Sequence, residues 1–106
     1  TTFSKKKTKK MPKQAKVVAV VGVGPLVGED IARHFAEHHF SVALLSRSVD
    51  ELERLAATLP AHTTEEGRAA PRHAAFRCDV TDAASVRRAF ASLRATYGAE
   101  TPDVVI

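Results

Sequence analysis

Five apolar, mostly β-branched residues, Val17-Val18-Ala19-Val20-Val21, run straight into a glycine-bearing segment, Gly22-Val23-Gly24-Pro25-Leu26-Val27-Gly28. No other feature of the chain constrains the fold as strongly. An apolar run without alternation suits a parallel strand covered on both faces. The glycines break it, and a helical period follows: Ile31, Ala32, Phe35 and Ala36 share one face, while Glu29, Arg33 and Glu37 point elsewhere. Strand, glycine loop and helix make the head of a β-α-β unit.

The alternation continues. Residues 40–45 read as a second buried strand. Ser48 is expected to head a capping box with Glu51, in which Ser48 accepts from a first-turn amide and Glu51 reaches back to the Ser48 amide. Leu52, Leu55, Ala56 and Leu59 supply the buried stripe of this second helix, and Pro60 closes it. Residues 61–73 form a polar loop, and 74–78 a short third strand. Thr81 is the expected cap of a third helix, with Asp82 favourable at its positive end. Val86, Phe90, Leu93 and Tyr97 give that helix its apolar face, and Gly98 ends it. Pro102-Asp103 reads as a turn, and Val104-Val105-Ile106 opens a fourth strand. Strands alternating with helices imply an α/β fold with a parallel sheet and right-handed crossovers.

Length and charge sharpen this outline. The 106 residues admit one domain. A lone cysteine, Cys78, excludes a disulfide scaffold and a multi-cysteine metal site. No apolar run approaches the ~20 residues of a membrane span. All seven lysines lie in residues 1–16, which hold no acid; residues 17–106 carry nine arginines against 12 acids, a balance of −3. Residues 1–16 are thus expected to be a disordered basic tail, and 17–106 the domain. The tail keeps organelle and nuclear readings open beside the expected cytoplasmic setting. Nucleic-acid binding by the mildly acidic body is not expected. The chain starts at Thr1 and stops at Ile106 within an apolar run, as expected of a fragment or processed chain.

The chemistry is expected in the glycine loop and at the ends of the strands. A glycine loop between a buried strand and a helix lets backbone amides approach a diphosphate, and the helix N-terminus faces the anion with partial positive charge. The spacing is G-x-G-x-x-x-G, with Val27 where the dinucleotide fingerprint has its third glycine. About 20 residues on, at the end of the second strand, an Asp or Glu would take the ribose hydroxyls of NAD. Ser46-Arg47-Ser48 stands there instead. No carboxylate repels a phosphate at this point, and a guanidinium is available to pair with one, so NADP(H) is favoured over NAD. Asp79 sits at the carboxyl end of the third strand, where ligands bind in such sheets.

These residues resemble the N-terminal part of the short-chain dehydrogenase/reductase family, from about Val17 to Ile106. That family opens with T-G-x-x-x-G-x-G. Gly22 and Gly28 match its first and last glycines, Leu26 replaces the middle one, Val21 replaces the Thr, and Gly24 supplies a different glycine. Ser46-Arg47 is similar to the strand-end dipeptide of NADP-preferring members, and Asp79-Val80 to the family's D-V element. The resemblance implies a Rossmann-type doubly wound sheet with strand order 3-2-1-4. It implies Gly22, Gly24 and Gly28 shaping the diphosphate loop, amides of Leu26 and Val27 facing phosphate, Ser46 and Arg47 holding the 2′-phosphate, and Asp79 with Val80 at the adenine. Implied partners are NADP(H) and a small-molecule carbonyl or alcohol substrate, and a homo-oligomer is compatible with this reading.

The family's catalytic Ser, Tyr and Lys follow its fourth strand, and no Lys follows Lys16 here. No catalytic residue is therefore assigned, and Tyr97, on an apolar helix stripe, reads as core. His34 and His38 stand four apart with His39 adjacent, but no Glu or Cys completes a zinc set, so they read as solvated helix-end histidines. Cys78 reads as a small core residue, and Arg87, Arg88 and Arg94 as a solvated helix face. Two other functions compete with the oxidoreductase reading. A Rossmann sensor would bind dinucleotide without chemistry. A methyltransferase would want a carboxylate where Ser46 and Arg47 stand.

Overall fold

The computed structural model describes residues 15–22, 27–61 and 70–106. Four parallel strands, β1 (Val17–Val21), β2 (Ser41–Ser46), β3 (Ala74–Arg77) and β4 (Val104–Val105), form one sheet in the order β3-β2-β1-β4. Helices α1 (Val27–Glu37), α2 (Val49–Thr58) and α3 (Ala83–Tyr97) alternate with them. The expected element order and strand order are both present. Residues 1–14 of the expected basic tail, Gly24, Leu26 and most of the long polar loop lie outside the described residues. Ala15 and Lys16 depart from the expected disordered tail, since Ala15 is buried and the Lys16 carbonyl accepts from the Ser41 amide at 2.8 Å.

The alternation of side chains along the strands explains the two layers of helix. Val17 and Ala19 of β1, with Ala43 and Leu45 of β2, pack with Ala89, Leu93 and Tyr97 of α3. Their neighbours Val18, Val20, Val42 and Leu44 pack on the other face with Ala32 and Ala36 of α1 and Leu52 of α2. β1 is therefore apolar at every position and β2 from Val42 to Leu45, because both faces are covered. Leu44, Leu45 and Leu93 are fully buried, each contributing roughly 1.5–3 kcal/mol relative to exposure.

Two helix starts differ from the sequence expectation. Ser48 is the N-cap of α2, but its side chain makes no capping hydrogen bond, so the Ser48–Glu51 capping box is not formed. With φ −100° and ψ 78°, Ser48 lies outside the usual extended N-cap geometry. At α3 the cap is Asp82, not Thr81: Asp82 is extended and accepts from the Ala84 amide at 3.0 Å. The Thr81 hydroxyl is committed instead to Asp79. The helix ends agree better. Leu59 is extended, as suits a residue before proline, and Gly98 closes α3 with φ 131°.

The other differences are at strand ends. β2 starts at Ser41, because α1 ends in a Schellman turn: the His39 amide donates to the Ala36 carbonyl and the Phe40 amide to the Phe35 carbonyl, each at 3.0 Å. His39 takes the left-handed position there, at φ 68°, where glycine is usual. Phe40 packs edge-on against Phe35 with ring centroids 5.0 Å apart. β3 ends at Arg77, one residue before Cys78, although the Cys78 amide still donates to the Ser46 carbonyl. β4 covers only Val104 and Val105.

Candidate functional site

Because all strands run parallel, β1, β2 and β3 end on the same edge of the sheet, and every described candidate residue lies there or in the turn that follows. Gly22 follows β1 and donates its amide to the Leu45 carbonyl at 2.8 Å. Its φ is +71°, which an L-residue adopts at a cost of roughly 1–2 kcal/mol. Nothing lies within 4 Å of where a Cβ would stand, so the backbone conformation, not crowding, demands glycine. Helix α1 begins at Val27, and Gly28 is buried in its first turn. Glu29 and Asp30 also occupy that turn, which favours the helix dipole.

Ser46 is half-buried at the end of β2, and its Oγ accepts from the Ser48 amide at 3.3 Å. Arg47 is exposed, and its guanidinium makes no ion pair with another described residue. Across the ladder, Arg77 donates from Nη1 to the Arg47 carbonyl at 3.4 Å. Asp79 is held by its own turn. Its Oδ1 accepts from the Thr81 hydroxyl at 2.7 Å and the Thr81 amide at 3.0 Å, while its amide donates to Ser85 Oγ at 2.9 Å. These Thr81 hydrogen bonds, the hydroxyl's first, hold the Asp79 carboxyl below the usual carboxylate range, with smaller help from the charges of Arg47 and Arg77. Val80 beside it is exposed, an unusual position for a large apolar side chain.

The structure thus gathers Gly22, Gly28, Ser46, Arg47, Asp79 and Val80 at one edge. Gly24 and Leu26 are outside the described residues, as is the Val27 side chain. Sequence reasoning missed Arg77, Thr81 as the anchor of the Asp79 carboxylate, and Ser85 as the anchor of its amide. An Asp-x-Thr spacing that favours a local side-chain turn could have exposed the second. Arg77 needed the strand register. The donor set now suits a phosphorylated adenosine: guanidiniums and a hydroxyl for phosphate, an oriented carboxylate for an amino group, an apolar surface for a ring, and a left-handed glycine that turns the chain before a helix. These residues fit a dinucleotide cofactor.

Other singled-out residues serve the fold. Tyr97 is buried, and its hydroxyl donates to the Arg72 carbonyl at 2.8 Å. Cys78 is buried, and burial first, then the Asp79 charge, pushes its thiol up. The exposed rings of His34, in α1, and His38, just past its end, lie tilted at 44° with centroids 4.4 Å apart, and Arg87, Arg88 and Arg94 are exposed on α3.

Comparison with known proteins bears on the same segment. The family model of the short chain dehydrogenases matches residues 16–103. An uncharacterized oxidoreductase of Caenorhabditis elegans is 37% identical over 91 residues, covering 86% of this chain and 27% of that protein. Oxidoreductase UcpA of Salmonella typhimurium is 39% identical over 83 residues, covering 78% of this chain and 28% of that protein. Among solved structures, an alcohol dehydrogenase of the archaeon Thermococcus sibiricus, complexed with 5-hydroxy-NADP, is 32% identical with a TM-score of 0.70, over 88% of this chain and 36% of that one. The chain spans little more than a quarter of the length of those curated relatives. The family match takes in β1 through α3, with the glycine turn and the ends of β2 and β3, and by it the chain belongs to the short chain dehydrogenases.

Proposed function

We propose that this chain binds a nicotinamide dinucleotide across the C-terminal edge of its sheet and prefers NADP(H) to NAD(H). The observation that carries the reading is the convergence of Gly22, Ser46, Arg47 and Asp79 on one edge, with Arg47 exposed and outside any ion pair among the described residues. Gly22, Gly24 and Gly28 shape the diphosphate loop, and the amides of Leu26 and Val27 face the phosphates. Ser46 and Arg47 hold the 2′-phosphate. Asp79, oriented by Thr81, accepts from the adenine amino group, and Val80 lies against the ring. The dinucleotide supplies hydride chemistry between its nicotinamide and a carbonyl or alcohol carbon. These residues bind and orient the dinucleotide. Residues 17–106 act as the cofactor-binding unit, onto which Ala15 and the Lys16 carbonyl dock. The likeness to a dehydrogenase complexed with 5-hydroxy-NADP supports the choice of cofactor.

Fluorescence titration of the chain with NADPH and NADH tests this reading. A charge-assisted contact is worth about 1.5–3 kcal/mol, and exposure discounts it toward the lower figure, so NADPH should bind about tenfold more tightly than NADH. Arg47→Ala should weaken NADPH, leave NADH unchanged and so narrow the difference. NADH binding as tightly as NADPH, or Arg47→Ala without effect on NADPH, would sink the selectivity. Carbonyl reduction by the protein that contains this chain separates an oxidoreductase from a dinucleotide sensor.

A further inference from the structure

Arg77 is a second cation at the edge where the ribose of the adenosine would lie. In the parallel ladder between β2 and β3, Arg77 is the Cα partner of Ser46. Paired residues of neighbouring strands project from the same face of a sheet, so the Ser46 hydroxyl and the Arg77 side chain leave it side by side. The Arg77 guanidinium is also steered toward the loop after β2, since Nη1 donates to the Arg47 carbonyl at 3.4 Å. That bond uses one of five N–H donors and leaves the fork free for another acceptor. Arg77 is exposed and makes no ion pair with a described residue. Two exposed guanidiniums therefore leave adjacent strand ends, and both act on the single negative charge of Asp79, so positive charge remains in excess. Such an excess of positive charge suits a dianionic group, which one exposed arginine holds only weakly.

We infer that Arg77 is a specificity-determining residue, a second guanidinium that grips the 2′-phosphate from β3 while Arg47 grips it from β2. The inference rests on the dinucleotide reading above. One rival position for the anion exists. Arg77 also borders a cavity of about 250 Å3 between β3 and α3, whose far wall includes Arg88 and Ser92. An anion seated there would use Arg77 and Arg88 without Arg47.

Calorimetric titration of the full chain with 2′,5′-ADP and with 5′-AMP isolates the 2′-phosphate. Arg77→Ala should weaken 2′,5′-ADP about tenfold and leave 5′-AMP within about twofold, as expected for one charge-assisted contact. Arg88→Ala should change neither, and Arg47→Ala with Arg77→Ala together should abolish the preference for 2′,5′-ADP. Circular dichroism of each variant should match the parent, because all three side chains are exposed. Unchanged 2′,5′-ADP affinity in Arg77→Ala, with a loss in Arg47→Ala, overturns the inference and leaves the cofactor reading standing. A loss in Arg88→Ala equal to that in Arg77→Ala puts the anion in the cavity and also overturns it. No preference for 2′,5′-ADP in the parent chain overturns both.

Discussion

His73 stands one residue before β3 and takes the place of backbone there. Its Nδ1 lies 3.1 Å from the Val42 amide nitrogen, and its Nε2 lies 2.6 Å from the Pro60 carbonyl oxygen. The amide can only donate and the carbonyl can only accept, so Nδ1 is the acceptor and Nε2 carries the hydrogen. Val42 is fully buried, and an unpartnered buried amide costs about 1–3 kcal/mol. Pro60 is only half-buried, so losing its donor costs about 0.5–1.5 kcal/mol. His73→Leu should therefore destabilise by about 2–4 kcal/mol, or ~10–25 °C in Tm for a domain of this size. His73→Asn keeps an acceptor near the Nδ1 position, and His73→Gln keeps a donor near Nε2. Urea denaturation should then rank the variants Asn, Gln, Leu from least to most destabilised, because the buried amide is the costlier partner to abandon. A neutral Leu variant, or Gln outranking Asn, would refute the reasoning.

Three further outcomes follow from the same contacts. Asp82→Ala should cost about 1 kcal/mol by urea denaturation, whereas Ser48→Ala should stay within about 0.5 kcal/mol, since only Asp82 caps through its side chain. The Tyr97 phenol is pushed up to about 12 by burial, with the Arg72 charge opposing, so the fold holds it protonated above its ordinary value of 10.0. The resulting stability is fully present below about pH 10 and is lost as pH rises toward about 12, and Tyr97→Phe should flatten that alkaline decline in denaturation curves measured across the range. Leu93→Ala, at a fully buried α3 position, should cost about 3–5 kcal/mol, measured by the same denaturation.

The sequence carried the fold because its signals are local. The apolar run at Val17–Val21, the stripe through Leu93 and Tyr97, and the stops at Pro60 and Gly98 each report on their own neighbourhood. Strand order came from the family resemblance, since nothing in the run at 104–106 says which strand it pairs with. Caps were legible only as residue types. Ser48 has the right chemistry but the wrong backbone angles, and Thr81 was outcompeted because Asp79 takes its hydroxyl first. Arg77 and His73 were invisible for a different reason. One gains its place from pairing with Ser46 and the other from bonding across to Val42, contacts that exist only once β3 docks on β2. At the site, Ser46, Arg47 and Asp79 could be named individually from the sequence, but the Thr81 hydrogen bonds that orient Asp79 required the turn itself.

The central claim is that the C-terminal edge of β1, β2 and β3 is the dinucleotide site. Amide chemical-shift mapping of the isotopically labelled chain during titration with NADPH tests it most directly. The largest shifts should cluster at Gly22, Gly28, Ser46, Arg47, Asp79 and Val80, with Ala15, Phe40 and Glu100 unmoved. Shifts concentrated on the exposed face of α3 or around His34 and His38, with the strand ends silent, would contradict it.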